Sequence, residues 1–340
     1  MQRLKGVLAV ILIAVFGSAP VAQKKPFIDW KGLANPVLSY PDWSVKDAAM
    51  AYRNGTFYVF FSAFYPDRGQ VRSHVVEVST TDFKHFSEPI FNFDGEEEGW
   101  IGMCSPDVQF LHGQYVLTFN SWGDQPGKPN QPFYRTSEDL VHWTPRTALA
   151  PNLTANQHVI DAALADADEG YYLVYKEQTP GIHTRPRIAF STSLSGPFQY
   201  VGDGIAALLM KDGNDNGFFH ENFEFVHTNS QWFMLATDYF HNRQNPIKYD
   251  VQAPYLYALA QGSHWLKWDR GYTFEIPQET FNSESIANAA ALYDWRKYDG
   301  HYYLIYAGRA DGESYARRGW NRLALARSTD LIHWSVPGKE

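Results

Sequence analysis

The stretch GTFYVFFS, Gly55 to Ser62, decides the fold because the chain writes it five times. It returns as GQYVLTFN from Gly113, GYYLVYKE from Gly170, SQWFMLAT from Ser230 and GHYYLIYA from Gly300. The starts are 58, 57, 60 and 70 residues apart. A turn residue opening into aromatic and β-branched residues is how a hairpin enters its second strand. Self-similarity at a fixed period marks a chain assembled from one repeated unit.

A second phrase keeps step with the first. It runs STTDFKHF to Phe86, SEDLVHW to Trp143, STSLSGPF to Phe198, AQGSHW to Trp265 and STDLIHW to Trp334. Between the two phrases lies another apolar run, such as RIAFS or RLALARS, and an apolar run also precedes each turn. Each unit therefore reads as about four short antiparallel strands, and no amphipathic helix of ten or more residues stands out in the mature chain. Four-stranded sheets repeated radially make a β-propeller, whose closed ring leaves only short edges. The expectation is an all-β, five-bladed propeller of four-stranded antiparallel blades occupying 23–340 as one domain. A linear β-solenoid competes less well, since its repeats are shorter. The chain stops six residues after Trp334, so the last blade is expected to lack its outer strand, with Phe27–Leu38 supplying it.

Residues 1–22 read as a signal peptide: Arg3 and Lys5, an apolar run from Val7 to Phe16, then the small residues Gly17, Ser18, Ala19 and Ala22. The run is short of the roughly 20 apolar residues of a membrane span. Export to the periplasm or beyond is the expected location. The net charge is −8, and an acidic exported protein suits neither nucleic acid nor an anionic membrane. Cys104 is the only cysteine. It excludes an internal disulfide and cysteine-based metal sites, and a lone thiol is a weak case for a nucleophile. Aromatics make up 16% of residues, which serves a strand-rich core and also a sugar-stacking surface.

The strand before each aromatic strand should line the central funnel. Asp47, Asp107, Asp161 and Glu221 stand at its start in the first four units, whereas Ala291 and Leu292 fall there in the fifth. A carboxylate among apolar strand residues is costly to bury alone. Four at matching places suggest one shared pocket. Hydrolysis of a glycosidic bond needs two carboxyl groups, one to protonate the leaving oxygen and one to activate water or attack carbon. A third raises the acid's pKa by repulsion.

These motifs resemble those of the five-bladed propeller glycosidases, most closely glycoside hydrolase family 43, over nearly all of residues 40–340. KDAAMAYRNGTFYVFFS is similar to the family's first-blade motif and implies Asp47 as general base. IDAALADADEGYYLVY implies Asp161 as the residue tuning the acid, and ENFEFVHTNSQWFML implies Glu221 as the acid. SPDVQFLHGQYVLTF places Asp107 on the structural or substrate side. Ala48 stands where the family often has Pro, and Asn222-Phe223 replaces Gly-Pro, which makes Glu224 a rival to Glu221. Strand alternation turns Glu224 to the other face and favours Glu221. The fifth-blade histidine that often helps hold a central cation in the family is not evident in ANAAALYDW. No cofactor is required by this reading, and a structural cation has no support.

Around the acids, His220, Lys176 and Arg309 are candidate substrate contacts, with Arg187 beside them, and Trp100 is the candidate stacking wall. The His220–Glu221 pair also resembles family 117, which cleaves anhydro-galactose from agar fragments, although that family carries a longer N-terminal extension. The resemblance implies an inverting, exo-acting hydrolase of plant or algal oligosaccharides, arabinofuranosidase- or xylosidase-like. A non-catalytic sugar-binding propeller and a phosphorolytic relative are the other classes considered. Three in-register acids argue against the first, and the absence of a clear phosphate site in the sequence argues against the second.

Overall fold

The computed structural model describes residues 28–123, 125–178, 185–239, 252–273, 276–283 and 285–339, with the side chains of 285–290 left out. The segment 1–22, expected to be a signal peptide, lies outside them. The first blade runs β1 (Ser44–Arg53), β2 (Thr56–Asp67), β3 (Gln70–Thr80) and β4 (Phe91–Phe93). The second runs β5 (Gly102–Leu111), β6 (Gln114–Trp122), β7 (Pro132–Ser137) and β8 (Thr147–Ala148). The third runs β9 (Val159–Ala167), β10 (Gly170–Glu177), β11 (Pro186–Ser191) and β12 (Gln199–Ile205). A short strand, β13 (Ala207–Met210), then adds in parallel to the outer edge of the fourth blade. That blade is β14 (His220–Thr228), β15 (Gln231–Asp238), β16 (Ala253–Leu259) and β17 (Lys267–Thr273). The fifth is β18 (Ser285–Asp294), β19 (Tyr302–Arg309), β20 (Arg322–Ser328) and β21 (Trp334–Ser335).

Pairing within each blade is antiparallel in chain order. The inner strands β1, β5, β9, β14 and β18 each touch the next, and β18 returns to β1. The chain is thus a closed five-bladed ring. Its apolar interior divides the same way, into five clusters each shared by two neighbouring blades. The second repeated phrase finds its reason here. Phe86, Trp143, Phe198, Trp265 and Trp334 each enter a different cluster, packing their own blade onto the preceding one.

The polar part of that phrase builds the turn ahead of the aromatic. In three blades an Asp (Asp82, Asp139, Asp330) accepts from two backbone N–H groups and from the histidine three residues on. This is the side-chain capping of a tight turn expected of Asp. The hydrogen bonds hold the Asp82 carboxyl at about 2, and those of Asp139 and Asp330 lower still.

The expected gap in the last blade needs correction. β21 completes the outer edge by pairing with Arg327 and Ser328, while Leu38 pairs with Leu323 farther along the same edge of β20. Asn35 clips the join between them, donating to the Leu325 carbonyl at 2.9 Å and accepting from its N–H at 3.0 Å. Both ends of the described chain therefore share one strand. Helix among the described residues is limited to single turns, Pro151–Thr154 and Arg296–Asp299 being the α-helical ones, and no described helix is long and apolar enough to cross a membrane.

Candidate active site

Four of the inner hairpins turn on two residues with positive φ: Asn54–Gly55, His112–Gly113, Asp168–Glu169 and Asn229–Ser230. Such turns match the twist of the strands they join. Eight residues before the second turn residue stand Asp47, Ser105, Asp161 and Asn222, with φ of 56°, 54°, 58° and 50°. Each sits at a break in ladder register, a β-bulge that turns its side chain inward. Asp and Asn tolerate the left-handed region better than most residues. The N–H groups freed by two bulges are caught by the preceding blade: Ser105 N donates to Ser62 Oγ at 2.8 Å, and Asp161 N to Asn120 Oδ1 at 2.9 Å.

This geometry corrects the expectation of four acids in one register. Asp47 and Asp161 are equivalent, and Glu221 comes one residue earlier, level with Lys46 and Cys104. Asp107 and Glu224 come two residues after the bulge, level with Ala49 and Ala163, and lie deeper along the axis. Gly170 misleads the count because it is the first residue of β10 rather than part of the turn.

A cavity of about 480 Å³ opens above the bulges, with Asp47, Asp161 and Glu221 on its floor. Asn222 ties the floor together: its Nδ2 lies 3.3 Å from Asp47 Oδ1 and 3.4 Å from Asp161 Oδ1. Lys46 Nζ sits 3.2 Å from Asp47 Oδ1, and Lys176 Nζ 3.1 Å from Glu221 Oε2. Gln252 donates to the other Glu221 oxygen at 3.3 Å.

The three carboxyl groups are not equivalent electrostatically. Burial pushes Asp47 above the usual aspartate range, while Lys46 and Ser62 pull it back. Burial, with repulsion from Glu221, lifts Asp161 to about 6 against the pull of Lys176. Burial also works on Glu221, yet Lys176 and Lys46 overcome it and hold that carboxyl below its ordinary value. Below about pH 6 the unliganded pair's proton thus rests on Asp161, beside an ionised Glu221.

The other expected residues divide. Arg309 lines the cavity, and Lys176 reaches it through Glu221. His220 does not line it: the ring is buried, with Nε2 2.9 Å from the Tyr257 hydroxyl. Asp107 lies below the floor, and Arg187 pairs with Glu177 at 3.3 Å. Trp100 is off the cavity, packed against Phe133 and under the Lys128 ammonium at 3.8 Å. Trp122 forms the aromatic wall instead, with Phe64 at 5.3 Å and Tyr315 beyond. Glu224 accepts from Leu292 N at 2.7 Å and faces away from the cavity. Cys104 lines it, but burial drives its thiol well above the ordinary value, the reverse of a nucleophile's needs.

Sequence reasoning missed Lys46, Asn120, Asn222 and Trp122. The signal for Trp122 was present, since it and Phe64 both stand two residues beyond the repeated aromatic phrase. Among the described residues no three His, Cys, Asp or Glu side chains gather as a metal site requires.

No protein-family model matches the sequence, and no curated protein does. Solved structures match it closely in shape. A glycoside hydrolase described as putative, from Parabacteroides distasonis, is 17% identical with a TM-score of 0.62, over 88% of this chain and 95% of that one. The fold is that of the propeller glycosidases. A structure from the family-130 mannoside phosphorylases, described as containing hydrolases of β-1,2 mannosidic linkages, is 16% identical at TM-score 0.61, over 86% and 91%. A family-43 β-xylosidase/α-arabinofuranosidase from a compost metagenome, solved with xylotriose, is 14% identical at 0.59, over 89% and 96%. At these identities the likeness establishes architecture, and the chemistry rests on the cavity.

Proposed function

We propose that this protein is an exported, inverting exo-glycosidase acting on short plant or algal oligosaccharides, arabinofuranosidase- or xylosidase-like. The observation that carries the hydrolase reading is the floor itself: the buried Asp47 and Asp161 and the partly exposed Glu221, held unequally protonated by Lys46 and Lys176, at the bottom of one cavity. Acid–base cleavage of an acetal needs that inequality, one group with a proton and one without.

Asp47, kept charged by Lys46, takes a proton from water as its oxygen attacks the anomeric carbon. Glu221 is the most exposed of the three, with 16% of its side chain accessible, and it delivers the proton to the leaving oxygen. In the unliganded state Lys176 holds it ionised. A sugar over the floor expels water and raises the cost of that charge, and the proton on Asp161 is the nearest supply. The amides of Gln178 and Gln252 suit sugar hydroxyls, and Trp122 offers a face for sugar C–H groups.

The test is a screen of chromogenic pentosides with xylo-, arabino- and agar oligosaccharides, with and without phosphate, followed by proton NMR of the first-formed anomer. Inversion places the reacting carboxyl groups about 6.5–9.5 Å apart, against about 5–5.5 Å for retention. A retained anomer refutes inversion, and release of a sugar 1-phosphate moves the assignment to phosphorolysis. Hydrolysis undiminished in Asp47→Asn and Glu221→Gln refutes the assigned roles. N-terminal sequencing of the secreted protein checks export, with cleavage expected near Ala22.

A further inference from the structure

Beneath the carboxylates the propeller axis holds a second cavity of about 20 Å³, room for one water. Asp47, Ser105, Asp161 and Asn222 form its roof and also line the main cavity above, while Asp107 and Glu224 form its base. Two buried oxygens in its wall, Asn222 Oδ1 and Asp107 Oδ2, have no well-formed hydrogen bond among the described residues. Buried polar atoms are satisfied by protein or by ordered water. A water touching both fits the space and the chemistry.

The hydrolase reading above, on which this inference rests, leaves a proton in the wrong place after every turnover. Asp47 ends protonated, and the Asp161–Glu221 pair ends without its proton. Asp47 and Asp161 are only 2% and 4% exposed before any sugar covers them. Asn222 spans the two carboxylates, but its amide donates hydrogen bonds without passing protons on.

We propose that a water held in this small cavity returns the proton from Asp47 to Asp161, and that Asp107 and Glu224 beneath it hold that water in place. The step balances: the Asp47 O–H bond breaks as the water accepts its proton, and one water O–H breaks as Asp161 takes a proton. The water is restored and no charge is gained or lost. The base of the cavity is built for holding. Gln109 Nε2 donates to Asp107 Oδ1 at 3.3 Å, and the Leu292 N–H donates to Glu224 Oε2. Burial lifts Asp107 to about 7, and burial with the Asp107 charge lifts Glu224 well above the usual range. The partners drawing them down are neutral, namely Gln109 and the backbone N–H groups of Val108, Leu164 and Leu292. Near neutral pH the pair therefore keeps a proton with which to bind the water's oxygen. Asp107 and Glu224 are positioning residues on this account, since neither lines the substrate cavity.

Asp107→Asn and Glu224→Gln keep the shape of the site, and circular dichroism with thermal melts identifies which variants fold. In folded variants the first-turnover cleavage rate should hold while steady-state kcat falls and its solvent deuterium isotope effect grows. A high-resolution crystal structure of the wild type should show the water. An equal loss in the first turnover, an unchanged kcat, or no water in the cavity overturns the relay. Wild-type protein that turns over no glycoside overturns the hydrolase reading itself, a separate result from turnover indifferent to Asp107 and Glu224.

Discussion

Raising the pH should remove activity in proportion to the proton lost from the Asp161–Glu221 pair. Asp161 is lifted to about 6 while Glu221 is held low, so the pair carries one proton below about pH 6 and loses it above. The protonated fraction is then about one tenth at pH 7 and one hundredth at pH 8. For an alkyl glycoside, whose leaving oxygen needs the proton, kcat/KM should fall about tenfold per pH unit, or about 1.4 kcal/mol of barrier each. A dinitrophenyl glycoside leaves without help and should hold its plateau through that range. Both should decline on the acid side, where Asp47, itself above the usual aspartate range, takes up a proton. Profiles of kcat/KM from pH 4 to 9 for the two substrates make the comparison. In Asp161→Asn the alkaline limb should move to lower pH, because Glu221 stays beside Lys176 and no longer faces a second carboxylate. A descending limb shared by both substrates, or one unmoved in Asp161→Asn, refutes the assignment.

Two further outcomes follow from particular contacts. Trp122→Ala should raise KM about tenfold through the lost stacking face, while Trp100→Ala leaves KM unchanged, as measured by initial rates on one oligosaccharide. Glu77→Gln should stabilise the fold at neutral pH. Glu77 is fully buried and lifted to about 8, and its Oε2 accepts from Trp143 Nε1 at 2.9 Å, a bond the amide oxygen preserves. A carboxyl raised on folding contributes stability that is full below its unfolded pKa and lost as pH climbs toward 8. At pH 7 that loss is about 3 kcal/mol, and urea unfolding at pH 5, 7 and 9 should show a slope in the wild type that the variant lacks.

The blade number was legible because two phrases repeat for independent physical reasons, one as a strand and one as the aromatic that docks a blade on its neighbour. Asp47, Asp161 and Glu221 were legible as acids set in apolar strands. The bulge was not, since a residue count cannot see where a ladder gains an extra residue, and so Asp107 was placed a level too high. Trp100 misled because it sits on a polar loop ahead of β5, where nothing local says which way it folds. His220 adjoins the acid in sequence, yet its side chain turns into the fourth blade, toward Tyr257.

Leu38 and the Trp334–Ser335 strand lie against the same edge of β20, with Asn35 clipping the join. The ring is thus fastened by residues nearly three hundred positions apart, and its last seam waits for Trp334 and Ser335 to be made. A chain stalled before Trp334 leaves half of the β20 edge bare, a ready template for pairing with another copy. That late fastening doubles as a check on synthesis: only a chain that has reached Ser335 can shut the edge of β20.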